Sequence, residues 1–137
     1  MHINRTHLKN LRNIKDCSLT FSPSVNFIIG PNGAGKTALI ESFYLLSRGR
    51  PIHGRSIDVL INNESSLLSV DIEVEAENGL AHSLPGLKRR AGRLQYSVDG
   101  LERKSFEEVG RQLPTQLILP NESELVYLGP DVRRSFL

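Results

Sequence analysis

Eight consecutive residues, Gly30-Pro31-Asn32-Gly33-Ala34-Gly35-Lys36-Thr37, combine three glycines, a lysine and a hydroxyl side chain at a spacing suited to a polyphosphate. Glycines let backbone N–H groups converge on phosphate oxygens with no Cβ in the way. A helix opening at the end of the loop adds further N–H groups and the positive end of its dipole. Lys36 is placed to reach the β- and γ-phosphates as a point charge, and the Thr37 hydroxyl to ligate Mg²⁺. The chemistry expected of residues 30–37 is therefore binding of a nucleoside triphosphate with Mg²⁺. A glycine-rich turn without a ligand is the alternative, and it needs neither the lysine nor the flanking elements.

Those elements are written in the neighbouring sequence. Val25-Asn26-Phe27-Ile28-Ile29 is nearly all apolar and reads as a strand buried on both faces. Residues 38–47 read as a helix with Leu39, Phe43 and Leu46 on one stripe and Ile40 and Tyr44 beside it, packed against a sheet. At that spacing Tyr44 belongs to the core rather than to a stacked base. Strand, glycine loop and helix together make a P-loop in the context it requires.

Other charged residues invite chemistry but do not compel it. Arg48, Arg50 and Arg55 lie within eight residues of a segment that Gly49, Pro51 and Gly54 keep from being helix throughout. They suit phosphate contacts or a charge-stabilising finger, and equally a solvated loop. In Leu67–Glu75 an apolar run ending in Asp71 resembles a strand that presents a Mg²⁺ ligand. Val70, Ile72 and Val74 alternate strictly with Asp71, Glu73 and Glu75, however, as in a strand with one wet face. Lys88, Arg89, Arg90 and Arg93 cluster at what reads as a hairpin tip, suited to DNA phosphates or to protecting a sheet edge.

The rest of the chain supplies a scaffold. Residues 2–8 and 14–21 read as strands around the polar segment 9–13, and Ser22-Pro23-Ser24 as a turn. Asn78-Gly79 and Asp99-Gly100 are hairpin turns. Between them lie strands 80–84 and 94–98, separated by a break at Pro85-Gly86, so that residues 67–103 form an antiparallel meander. Ser105 with Glu108 has capping-box spacing and opens a short helix that ends near Leu113 and Pro114. Residues 115–119 read as a second buried strand, and Asn121 and Asp131 as the caps of two more helices. The last of these is still running at Phe136 and Leu137, and the expectation is the front part of a longer protein.

Composition narrows the class. The chain has 137 residues, 39% of them hydrophobic, with one cysteine and a net charge of +2, so it has no disulfide framework and too little charge to indicate nucleic acid by itself. No apolar run approaches the roughly 18 residues of a membrane span, and Met1–Arg5 lacks the layout of a signal peptide, so a cytoplasmic protein is expected. The four histidines show no ligand spacing.

Hydrolysis needs more than a cradle, namely a carboxylate at a strand end to hold Mg²⁺ and a group to position water. After Thr37 the sequence shows no apolar strand ending in Asp-Glu, no Asp-x-x-Gly or Asn-Lys-x-Asp, and no Ser-Gly-Gly. Catalytic residues are thus not identifiable, and the chain reads as binding nucleotide without the parts to hydrolyse it. A small P-loop kinase or GTPase would need an acceptor site or base-specificity motif. An ABC-type subunit of another system would bring a membrane partner instead of DNA.

Four features together resemble the N-terminal part of the RecF family, P-loop ATPases related to the SMC and ABC ATPases. Leu8-Lys9-Asn10-Leu11-Arg12-Asn13-Ile14 is similar to the family's Asn-Phe-Arg-Asn segment, with Leu11 where Phe is usual. The loop has the form Gly-x-Asn-Gly-x-Gly-Lys-Thr, followed by a helix carrying Glu41. Gly49-Arg50 follows that helix. Pro120 to Leu137 is similar to the family signature, with Leu125-Val126, Gly129-Pro130 and Arg133-Arg134-Ser135-Phe136-Leu137; Asn121 departs from it where an acidic residue is usual.

The resemblance implies an α/β fold, an incomplete ABC/SMC-like ATPase head with a nucleotide core over 1–60 and 114–137 and an antiparallel β subregion over about 67–103. It also implies ATP binding with dimerisation around the nucleotide, and binding of single-stranded or gapped DNA. RecO and RecR are the implied partners, in recombinational repair and SOS induction. By the same resemblance Arg12 and Arg50 are candidate nucleotide-side arginines, and Arg133-Arg134 lies in the signature without a derivable role.

Overall fold

The computed structural model describes residues 1–54, 56–103 and 105–119. Arg55, the helices expected after Asn121 and Asp131, and the signature residues Arg133 and Arg134 lie outside them.

A single six-stranded antiparallel sheet carries the chain. Its strands are β1 (His2–Leu11), β2 (Ile14–Thr20), β3 (Leu67–Glu75), β4 (Ala81–Arg89), β5 (Leu94–Val98) and β6 (Leu101–Glu102), in the order β2-β1-β3-β4-β5-β6. The expected meander over 67–103 is present, and β1 inserts between it and β2. The turns form as their sequences dictate, with Gly79 at φ 79° and Asp99-Gly100 at 52° and 79°, both left-handed as a two-residue hairpin requires. β1 runs on through residues assigned to a polar loop, leaving Arg12-Asn13 as the whole connection to β2.

Alternation decides which face is dry. Val70, Ile72 and Val74 of β3 are fully buried and Asp71 and Glu73 are not. Thr6 and Leu8 of β1 and Leu84 of β4 share their side of the sheet through the registers Thr6–Ile72–Leu84 and Leu8–Val70–Gly86. Helix α1 (Lys36–Arg48) lies on this face, burying Ala38, Leu39, Leu45 and Leu46, with Phe43 half-buried edge-on against Phe21. Gly49, left-handed at φ 69°, ends it by donating to the Leu45 carbonyl.

Helix α2 (Phe106–Gln112) opens as expected, the Ser105 hydroxyl accepting from Glu107 N–H at 3.2 Å. Glu108 turns instead to Arg103 at 3.1 Å. The helix seats Val109 and Leu113 in the core and approaches α1 closely at Gly110.

Three expectations are corrected. Residues 25–29 form no strand: Phe27 and Ile29 are 84% and 90% exposed, because none of the six described strands pairs with this run. Residues 115–119 likewise form no strand, and Ile118 is exposed. Pro85-Gly86 does not break the chain. β4 runs through both, Pro85 opposite Asp71 and Gly86 opposite Val70, with the missing Gly86 side chain leaving room for Leu46 of α1.

Candidate nucleotide-binding site

The glycine loop ends where α1 begins. Gly33 and Gly35 take φ values of 81° and 96°, the left-handed region that favours glycine. Gly35 caps α1 without a side-chain hydrogen bond, so the first N–H groups of the helix keep their donor capacity at the loop. Lys36 opens the helix and folds back over the loop, its Nζ donating to the carbonyls of Gly30 at 2.7 Å and Pro31 at 2.8 Å. A turn bond from Ala34 N–H to the Pro31 carbonyl, 3.2 Å long, keeps the loop compact. The Thr37 side chain is exposed one residue on.

The β1–β2 turn clamps this loop with three successive residues. Arg12, at φ 52°, donates from Nε to Oε2 of Glu41 in α1 at 2.5 Å. Asn13 donates from Nδ2 to the Gly33 carbonyl. Ile14 packs so near Gly35 that a Cβ there would lie 3.0 Å from its Cγ1. Glu41 is fully buried, and its other oxygen accepts the Ile52 N–H at 3.2 Å, tying in the chain beyond α1. The turn itself is fixed from below, Arg12 N–H donating to the Leu60 carbonyl and Asn62 Nδ2 to that of Arg12, both at 2.6 Å.

Arg12 is thus brought to the loop. Arg50 is exposed just past the end of α1, two residues before Ile52, whose N–H the Glu41 carboxylate accepts. Beside the loop a cavity of about 530 Å³ opens between β2 and α1, with Asp16, Cys17, Leu19 and Ile29 among its walls and Lys36 at its rim.

The donor set fits a Mg²⁺–triphosphate: free helix N–H groups, a lysine held only by carbonyls it can leave, and an exposed hydroxyl next to it. Among the described residues no group of three or more His, Cys, Asp or Glu side chains could hold a metal on its own.

The basic cluster divides. Lys88, 4% exposed, points into the core face and pairs with Asp58, so it is no contact for DNA. Its ammonium also donates to the Arg89 carbonyl at 2.7 Å. The hydrogen bond that Asp58 accepts from Lys88, with one from Ala91 N–H, holds the Asp58 carboxyl below the usual carboxylate range. Arg89 bonds Gln95, Arg90 reaches the carbonyls of Asn62 and Ser65, and Arg93 lies exposed at the same tip.

Sequence reasoning missed the clamp. It placed Glu41 in the helix but gave neither Glu41 nor Asn13 a role. One signal was available, because Glu41 shares with Ala38 and Leu45 the buried face of an otherwise apolar helix, and a buried acid needs a cationic partner.

Comparison with known proteins agrees with this geometry. Residues 1–89 match the family described as AAA ATPase domain. Along its entire length the chain is 34% identical to the DNA replication and repair protein RecF of Azotobacter vinelandii and 37% identical to that of Vibrio cholerae, covering 38% and 39% of those proteins. It spans under two fifths of the curated relatives it matches. A solved structure of the recombination mediator RecF with ATP superposes with a TM-score of 0.84 at 29% identity, over 98% of this chain and 36% of that one. An SMC ATPase structure shares the fold at 19% identity, with a TM-score of 0.81 over 98% of this chain and 96% of that one. No described helix is long and apolar enough to cross a membrane. With an α/β P-loop ATPase fold and a phosphate-type loop at the head of α1, the chain belongs to the AAA ATPase domain family and is RecF-like along its whole length.

Proposed function

We propose that this chain is the ATP-binding lobe of a cytoplasmic RecF-type DNA replication and repair protein. In this reading Gly30–Gly35 cradle the triphosphate, Lys36 swings from the Gly30 and Pro31 carbonyls to the β- and γ-phosphates, and Thr37 contributes to Mg²⁺. Arg12 supplies a second cation at the loop, and Arg50, two residues before Ile52, is a further candidate nucleotide-side arginine. The observation that carries the reading is the glycine loop with its two left-handed glycines and Lys36 at the mouth of an uncapped helix.

The described residues offer a cradle rather than a hydrolytic centre, so ATP here acts as a clamp that closes two protomers on DNA more than as a fuel. The DNA is single-stranded or gapped, and Arg89, Arg90 and Arg93 are the candidate phosphate contacts. RecO and RecR are the partners expected of such a protein, in recombinational repair and SOS induction. The relatives' names and their similarity along the whole chain support this assignment.

The test is ATP-dependent binding of the protein to gapped DNA at several salt concentrations, with Lys36→Ala as control. Binding that rises with MgATP and loses that rise in the variant is expected. DNA binding indifferent to both nucleotide and Lys36 would sink the reading.

A further inference from the structure

We propose that Glu41 is a positioning residue for the nucleotide site, orienting Arg12 so that the outer edge of its guanidinium serves the triphosphate. The proposal rests on the assignment of Gly30–Thr37 as a phosphate loop. Arg12 is bound through Nε alone, and among the described residues neither Nη makes a hydrogen bond, while the side chain is 39% exposed. One edge of the planar fork is therefore spent on Glu41 and the other is left with unused donors, the geometry that suits a phosphate oxygen. The next residue, Asn13, touches the Gly33 carbonyl, so these donors start from a turn already seated on the loop.

Glu41 is suited to hold an arginine in place rather than merely to neutralise it. Its carboxylate is fully buried and rises from the second turn of the helix that the loop opens. Its two oxygens take different partners, the Arg12 Nε–H and the Ile52 N–H, so it cannot rotate without losing one of them. An arginine side chain free in solvent samples many rotamers, and fixing it in advance spares that entropy when the anion binds. The same carboxylate joins the β1–β2 turn, α1 and the segment after Gly49. A displacement of Arg12 by bound phosphate would thus be felt at Ile52, two residues past Arg50.

The experiment titrates the wild-type protein, Lys36→Ala, Arg12→Ala, Glu41→Gln and the Arg12→Ala/Glu41→Gln double variant with a fluorescent mant-ATP–Mg²⁺ probe, and measures each melting curve without nucleotide. Wild-type binding that Lys36→Ala abolishes establishes the loop. Its absence overturns the site assignment and this inference together, whatever the Glu41 variant does. With the loop established, Glu41→Gln is expected to weaken binding by the folded protein about ten-fold, and the double variant to bind no more weakly than Arg12→Ala alone. Wild-type affinity in Glu41→Gln, or losses that multiply in the double variant, would overturn the inference, since a purely structural Glu41 lowers the melting point without acting through Arg12. Should Glu41→Gln fail to fold, Arg12→Lys decides. Lysine keeps the pair with Glu41 but has no outer edge, so its affinity is expected to fall nearly as far as that of Arg12→Ala, and wild-type affinity there would refute the proposal.

Discussion

Leu46 of α1 fills the space that a side chain at Gly86 would need: a Cβ built on Gly86 would lie 2.3 Å from Leu46 Cδ2. Gly86 stands in a row that crosses the core face as Leu8, Val70, Gly86 and Tyr96, one residue from each of four adjacent strands. The gap in that row is the notch that seats the helix. Since α1 carries Lys36 and Glu41, the notch also sets the height of the phosphate loop over the sheet. Gly86→Ala is expected to destabilise the fold by about 1–3 kcal/mol, as overpacking of a closed core does. Leu46→Ala costs more alone, but the two changes together cost less than their sum, because the new methyl occupies part of the vacated space. Urea denaturation of the four proteins measures this, and strictly additive losses would refute the notch.

The basic tip should separate into residues that hold the fold and residues that reach outward. Lys88 is buried against Asp58 and the Arg89 carbonyl. Lys88→Ala is therefore expected to lower the thermal midpoint by roughly 5–10 °C and to leave the salt dependence of DNA binding unchanged. Arg93→Ala is expected to do the reverse, with a stable fold and a salt slope reduced by about one. A Lys88 variant with an intact midpoint and a shallower slope would restore it to the DNA surface.

Local rules carried the sheet far. The alternation in Leu67–Glu75, the Asn78-Gly79 and Asp99-Gly100 turns and the Ser105 cap each depend on neighbours a few residues away, and each forms as its sequence dictates. Patterns that depend on distant partners were less legible. The apolar composition of 25–29 says that a run should be buried but not which strand will pair with it, and no described strand does. A basic run such as Lys88-Arg89-Arg90 reads as one surface patch, but the period of two in β4 sends Lys88 to the core face, where Asp58, thirty positions earlier, accepts it. Arg12 and Glu41 meet across 29 positions, a pairing that only the folded turn discloses.

Acid should expose the weakness of the Asp58 site. Its carboxyl is held below the usual carboxylate range by the hydrogen bond from Lys88, then by that from Ala91 N–H, and by the nearby charges of Lys88 and Arg90. A carboxyl depressed in the folded state contributes stability that is complete above its unfolded value of about 4 and lost as pH falls through the folded one. The thermal midpoint is therefore expected to hold from pH 7 to about pH 5 and to decline below about pH 4. In Asp58→Asn it starts lower at neutral pH and falls less steeply in acid. Some decline persists, because Asp16 and Asp99 are depressed by hydrogen bonds from His7 and His82. An unchanged slope in Asp58→Asn would show that the pair has no part in acid stability.

The two left-handed glycines of the loop are expected to respond differently to the same substitution. At Gly33, φ 81°, a Cβ would meet nothing within 4 Å, so Gly33→Ala carries only the backbone cost of about 1–2 kcal/mol. At Gly35, φ 96°, the same cost applies and the methyl would also press on Ile14, 3.0 Å from Cγ1 and 3.2 Å from Cδ1. Ile14 begins β2 directly after Arg12-Asn13, so the pressure falls on the turn that clamps the loop. Gly35→Ala should be the more destabilising change, and Ile14→Ala should relieve part of its cost while doing nothing for Gly33→Ala. Denaturation midpoints of the three single and two double variants decide it. Equal losses at the two glycines, with no coupling to Ile14, would mean that the turn does not bear on the loop.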